Sequence, residues 1–157
     1  GSFTGLRIGL AYAKGMYLSL GIPIIGIPTL DILAKAQPPG DYQLAAVIEA
    51  GRQRFAVGWY EYSEDQWQRT GEIENYPLEE LVAEITVPTR VCGELDKDAR
   101  KRLSRKYKNV ILAPPSASVR RPGVLAELAW ARYKNKDLDD PDQLAPYYLH
   151  HGDPIPG

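Results

Sequence analysis

Between Thr4 and Leu20 the chain carries only two charges, Arg7 and Lys14, in a stretch otherwise rich in leucine, alanine, glycine and tyrosine. The two cations stand seven apart and so fall on one line of a helix. Leu6, Leu10, Tyr17 and Leu20 supply large apolar groups to one stripe. Gly5, Gly9 and Ala13 recur every fourth residue and form a second, smooth stripe that another backbone can approach closely. A helix that is apolar nearly all round is buried on more than one side. Glycine disfavours a helix interior by about 1 kcal/mol, so Gly5, Gly9 and Gly15 require a packing reason. Two arrangements satisfy this pattern. Either the helix is sandwiched inside one subunit, or one face lies on its own sheet and the other on a partner chain. The run is shorter than the ~20 apolar residues a bilayer crossing needs, so no membrane span is expected.

A magnitude sharpens the expectation. Burial of each large apolar side chain contributes roughly 1.5–3 kcal/mol, against a whole-domain stability of only about 5–15 kcal/mol. Four or five such groups left in water would remove most of that margin. The sequence therefore predicts self-association through helix 4–20, or retention of a cleaved N-terminal piece.

The remaining chain reads as an α/β protein. Charged residues at 25%, apolar residues at 44% and a net charge of −1 over 157 residues suit an ordinary globular chain with no global attraction to nucleic acid. Cys92 is the single cysteine, so an internal disulfide is impossible; this fits a reducing compartment, and the expected location is the cytoplasm. Gly21 stops the first helix. Ile22–Ile27 reads as a short buried parallel strand. Thr29 or Asp31 is expected to cap a helix running to about Gln37, and Pro38-Pro-Gly-Asp41 is the expected domain boundary. Strands are expected at 43–49, 54–62 and 66–73, a helix starting at Pro77 and running to Ile85, a strand at Thr89–Cys92, a helix at 96–107, a strand at Val110–Leu112 and a helix at 122–135. The tail from Asp139 is expected to be loosely ordered. Antiparallel strands followed by β-α-β-α give a mixed sheet with helices on it, compatible with a ribonuclease-H-like fold.

Few residues suggest catalysis. A phosphate-binding P-loop needs Gly-Lys-Ser/Thr after four spacers, and the first lysine here is Lys14, inside the helix. Adjacent His150 and His151, with Asp153 nearby, point apart in most backbones and make a poor metal site. Charge is uneven. Eight acids lie between Glu61 and Glu84 against one base, Arg69, whereas seven bases lie between Lys97 and Lys108. Leu95, Ala99, Leu103 and Tyr107 form the inward stripe of that second segment, so its cations coat the outer surface. Lys101, Arg102 and Arg105 are the candidate RNA contacts, beside the plainer reading of a solvated face. Trp59, Tyr60, Tyr62 and Trp67 suit sheet packing, with base stacking as the alternative.

Several motifs carry a resemblance. Gly1-Ser-Phe-Thr-Gly-Leu-Arg-Ile-Gly9, Ala13-Lys14-Gly15 and Gly21-Ile-Pro-Ile-Ile-Gly-Ile-Pro-Thr-Leu30 resemble the signature of the TsaB (YeaZ) family of the actin-like ATPase superfamily. Ala46-Val-Ile-Glu-Ala-Gly-Arg52, Phe55-Ala-Val-Gly-Trp-Tyr-Glu-Tyr62 and Pro146-Tyr-Tyr-Leu149 are similar to its later motifs. The resemblance implies an actin-like, ribonuclease-H-like fold whose N-terminal subdomain is incomplete, because the family opens with a hairpin-rich segment that has no counterpart here. Residues 1–38 are then the remnant of that subdomain, 39–149 the C-terminal subdomain and 150–157 a tail. It further implies a non-catalytic scaffold that binds and activates a TsaD-like catalytic subunit in threonylcarbamoylation of an anticodon-adjacent tRNA adenosine. The implied interface is Gly5, Leu6, Gly9, Leu10, Ala13, Tyr17 and Leu33. The implied partners are that subunit, a second copy through helix 4–20 and a TsaE-like ATPase, with tRNA touched at most indirectly. No cofactor is implied. TsaD itself holds its metal with His-x-x-x-His, and Thr29 and Leu33 stand at those two places; leucine cannot ligate a metal. The alternative is a stand-alone glycoprotease-like hydrolase or nucleotide-dependent transferase of the same superfamily.

Overall fold

The computed structural model describes residues 3–51, 54–106 and 108–147. Contacts divide the chain into two units, one containing the segments 1–27 and 125–148 and the other built on Pro28–Val124. The break at 27/28 precedes the expected boundary at Pro38, and the reason lies in a short helix that belongs with the sheet.

The sheet unit holds six strands: β1 (Gln43–Glu49), β2 (Arg54–Ser63), β3 (Gln66–Arg69), β4 (Glu74–Pro77), β5 (Thr89–Gly93) and β6 (Val110–Leu112). Their order is β3-β2-β1-β5-β6, with β4 also paired to β2. β1 runs antiparallel to β2 and parallel to β5, and β5 runs parallel to β6. The strand expected at 66–73 ends at Arg69, and β4 is a further strand beyond it. The ten residues of β2 are long enough for β3 to pair with Tyr60–Ser63 and β4 with Arg54–Val57. A two-residue hairpin turn joins β2 to β3, and Glu64 and Asp65 both take positive φ there, as the twist of a tight hairpin demands.

Alternation along the strands creates two cores. Ala45 and Val47 of β1, with Phe55, Val57 and Val91, face Leu81 and Ile85 together with Ala99 and Leu103. These last four come from and around α3 (Leu78–Glu84) and α4 (Lys97–Ser104). Leu44 and Ala46, with Tyr60 and Cys92, face Leu30, Leu33 and Ala34 of α2 (Thr29–Lys35). A strand buried on both faces reads as a continuous apolar run, and Leu44-Ala-Ala-Val47 is one. The α2 helix therefore belongs to the sheet unit. Its N-cap is Pro28, which offers no side-chain cap. The Asp31 carboxylate accepts a 2.6 Å hydrogen bond from the buried Tyr60 hydroxyl instead. Pro77 closes β4 and stands just before α3. The helix expected at 96–107 ends at Ser104, with Asp96 capping it through a 2.7 Å bond from the Ala99 amide.

Cys92 is fully buried, and burial pushes its thiol up to about 12. Because the thiolate is the reactive form, the native thiol is expected to resist an aromatic disulfide reagent at neutral pH and to react completely in denaturant. Rapid stoichiometric release of reporter from the native chain would contradict this packing.

The other unit contains α1 (Phe3–Leu20) and most of α5 (Pro122–Lys134). The segment 22–27 is irregular, not the expected strand. Pro23 has no amide hydrogen to give, and the Gly26 amide and carbonyl bond to side chains rather than to a neighbouring strand.

Candidate partner-binding site

α1 forms where its spacing predicts, but none of its described residues is buried. Leu10, Ala13 and Tyr17 are half-buried. Leu6 is exposed at 45%, Tyr12 at 72% and Leu18 at 80%. The apolar surface thus continues around the helix beyond the predicted stripe. Monomeric surfaces seldom carry contiguous apolar patches of this kind unless they are functional.

On one side of α1 lies an open groove of about 420 Å³. Gly5, Leu6, Gly9, Leu10 and Ala13 form one wall, and Ile24, Ile25, Gly26, Leu144, Ala145 and Pro146 the other. Five of the seven predicted interface residues therefore meet at one place. A Cβ on Gly9 would meet nothing within 4 Å, so the glycine leaves open space along the helix. Tyr17 lies outside this lining. Leu33 does not belong to the interface: it is fully buried in the α2 core and presents no surface to a partner.

The second wall is held by a charge cluster that sequence reasoning missed. The Gly26 amide donates to Asp139 Oδ2 at 2.7 Å, and Arg132 Nη1 donates to the Gly26 carbonyl at 2.9 Å. Arg132 also grips Asp139 through Nη1 and Nη2 (3.2 and 3.0 Å) and Asp137 through Nε and Nη2 (2.7 and 3.2 Å). Hydrogen bonds from this guanidinium hold both carboxyls below their usual range, and the Gly26 amide helps at Asp139. Charge-assisted forks of this kind are the stronger class of hydrogen bond. The segment at Asp139 is therefore anchored, against the expectation of a loose tail. Its only sequence signal was an arginine followed closely by two aspartates, a pattern that most exposed loops share.

The candidate RNA residues lie on α4 and at its end. Lys101 and Arg105 are exposed. Arg102 is engaged with Glu79 by hydrogen bonds of 3.0, 3.2 and 2.6 Å, which lower the Glu79 carboxyl. The aromatic residues follow the packing alternative. Trp67 stacks on Tyr42 with centroids 5.7 Å apart, meets Tyr62 edge-on at 5.2 Å and donates to the Gln37 carbonyl. Tyr60 is buried, and Trp59 packs on the other core. His150, His151, Asp153, Arg52, Tyr107 and the Tyr148-Leu149 end of the last motif lie outside the described residues. Among the described residues no group of three metal-ligating side chains is gathered, and no helix is long and apolar enough to cross a membrane.

Comparison with known proteins gives the lineage. The family model of TsaD, tRNA N6-adenosine threonylcarbamoyltransferase, matches residues 1–82, just over half of the 157. Over 154 residues the chain is 28% identical to the tRNA threonylcarbamoyladenosine biosynthesis protein TsaB of Bacillus subtilis, covering 95% of this chain and 65% of that protein. The chain belongs to this family, in its TsaB (YeaZ) branch. TsaB of Escherichia coli is 38% identical over 68 residues, which is 42% of this chain and 29% of that one. The solved structure of YeaZ from Pseudomonas aeruginosa superposes with a TM-score of 0.72 at 22% identity, covering 95% of this chain and 70% of that chain. The fold is accordingly the actin-like, ribonuclease-H-like α/β fold of the family. The chain spans less than two thirds of the length of the curated TsaB relatives it matches.

Proposed function

We propose that this chain acts as a non-catalytic scaffold in tRNA threonylcarbamoyladenosine formation, binding and activating a TsaD-like catalytic subunit through α1. The observation that carries this reading is the exposed apolar surface of α1 beside a groove lined by Gly5, Leu6, Gly9, Leu10 and Ala13. Small residues at every fourth position let a partner helix approach closely, and the large apolar groups beside them supply the contact area. A second copy of the chain would compete for the same face. Leu33, where TsaD carries a ligating histidine, is committed to the hydrophobic core. That placement favours a supporting role over metal-dependent transfer by this chain itself.

Gly9→Leu tests the placement cleanly. The new side chain starts in open space and replaces a poor helix former with a good one, gaining up to about 1 kcal/mol of local helix preference. The variant is expected to melt no lower than the wild type, yet to bind the TsaD-like subunit at least about tenfold more weakly (~1.4 kcal/mol). Calorimetric titration and a thermal melt on the same sample check both halves. Unchanged affinity would remove α1 from the interface. Turnover by the purified chain alone would overturn the scaffold reading itself.

A further inference from the structure

We propose that the outward face of α4 is a contact for the phosphate backbone of RNA, and specifically for the tRNA on which the assembly proposed above would act; the choice of tRNA rests on that reading. Residues 97–108 hold seven bases and a single acid, Asp98, in a chain whose net charge is −1. The concentration is therefore local and does not reflect a generally basic protein.

The structure sorts these bases by use. Arg100 donates to the Ala113 carbonyl at 2.9 Å, Lys106 to the Ile85 carbonyl at 3.2 Å, and Arg102 is held by Glu79. These three serve the chain's own packing, and Arg102 offsets the α3 carboxylate that faces α4. Lys108 lies exposed beyond the helix, and Lys97, Lys101 and Arg105 remain on the surface of α4 and its C-terminal end. Among the described residues they form no ion pair or side-chain hydrogen bond, and Arg105 adds only a longer-range attraction to Glu79.

Their geometry forms a row. Ala99 and Leu103 are buried against the sheet, and Lys97, Lys101 and Arg105 each stand two residues from one of them. Two residues turn a helix by about 200°, so the three cations point away from the core. Four-residue spacing sets them about 6 Å apart along the axis. The Asp96 cap and the Leu103 anchor fix the helix that presents them. A row of cations on a rigid support complements a polymer of regularly spaced single negative charges. It offers no pocket that would select a small anion. The chain's own acids are concentrated between Glu61 and Glu84, which makes an acidic protein surface the competing partner.

The test neutralises the row with Lys97→Gln, Lys101→Gln and Arg105→Gln together. The wild-type chain and the variant are titrated into a labelled, unmodified tRNA transcript at several salt concentrations. Three phosphate contacts should make wild-type affinity fall about 20–40-fold between roughly 50 and 200 mM salt. The variant should bind more weakly at low salt, with a slope of log affinity against log salt shallower by about 2–3. Circular dichroism and thermal melting confirm that both are folded, and titration with the TsaD-like subunit runs in parallel. Equal affinities and slopes for the two chains would overturn the RNA contact, while retained binding of the catalytic subunit would leave the scaffold reading intact. If neutralisation instead lowers self-association in sedimentation and leaves tRNA binding unchanged, the row contacts the acidic stretch of a second copy and the RNA assignment is overturned.

Discussion

Replacing Gly93 with alanine is expected to destabilise the sheet unit by about 3–5 kcal/mol. Gly93 ends β5 with φ at +116°, a conformation that side chains rarely tolerate. A Cβ built there would stand 2.0 Å from the Val47 carbonyl oxygen and 3.0 Å from its carbon. These are backbone atoms of the adjacent strand, so no side-chain rotation relieves the clash. Val47 is also the register partner of Gly93, and its carbonyl accepts the Glu94 amide at 2.9 Å. Relief would require β1 and β5 to part, and β1 is the strand buried on both faces. Against a typical margin of about 5–15 kcal/mol, this change brings the chain close to unfolding. Urea titration should show a much lower midpoint with an unchanged m-value. A loss below about 1 kcal/mol would mean that the strand end adjusts locally.

Leu33→Ala is expected to lower stability by about 2–5 kcal/mol without weakening association of the molecules that remain folded. Leu33 is fully buried among Leu30, Ala34, Leu44, Ala46 and Tyr60. Truncation there leaves a cavity between α2 and the sheet, which α2 cannot close while Tyr60 holds Asp31 and Gln37 is tied to Arg90 and Ala117. An interface residue would behave in the opposite way, with stability unchanged and affinity reduced. Leu33→Met, which conserves volume, should lose less than about 1.5 kcal/mol. Chemical denaturation combined with titration of the TsaD-like subunit separates the two roles. The same packing explains why two histidines at 29 and 33 would not create a metal site in this chain: the second would be driven into an apolar core.

Much of the local structure was legible in the residues themselves. The periodicity of Thr4–Leu20 and the apolar runs of β1 and β5 are short-range signals, and each element forms where its spacing predicts. The gathering of Gly5, Leu6, Gly9, Leu10 and Ala13 was also legible, because i, i+4 neighbours share a face whatever surrounds the helix. The misread positions are those whose state is set by a distant partner. Ile22–Ile27 has the composition of a strand but bonds to Asp139 and Arg132, more than a hundred residues away along the chain. Leu33 sits on a short helix whose apolar side would suit either a partner or a sheet, and only the position of β1 settles which. Arg102 looked like its neighbours until α3 placed Glu79 against it.

The sequence by itself determined where most of the helices and strands form and which of their faces are apolar or cationic, because those properties depend largely on spacing along a single element. The tertiary structure decided which of those groups are already covered: Leu33 and Arg102 are engaged by the chain itself, whereas Leu6 and Leu18 of α1 and the Lys97–Lys101–Arg105 row stay exposed. Occupancy depends on which atoms from remote segments arrive within a few ångströms, and a one-dimensional pattern does not carry that information.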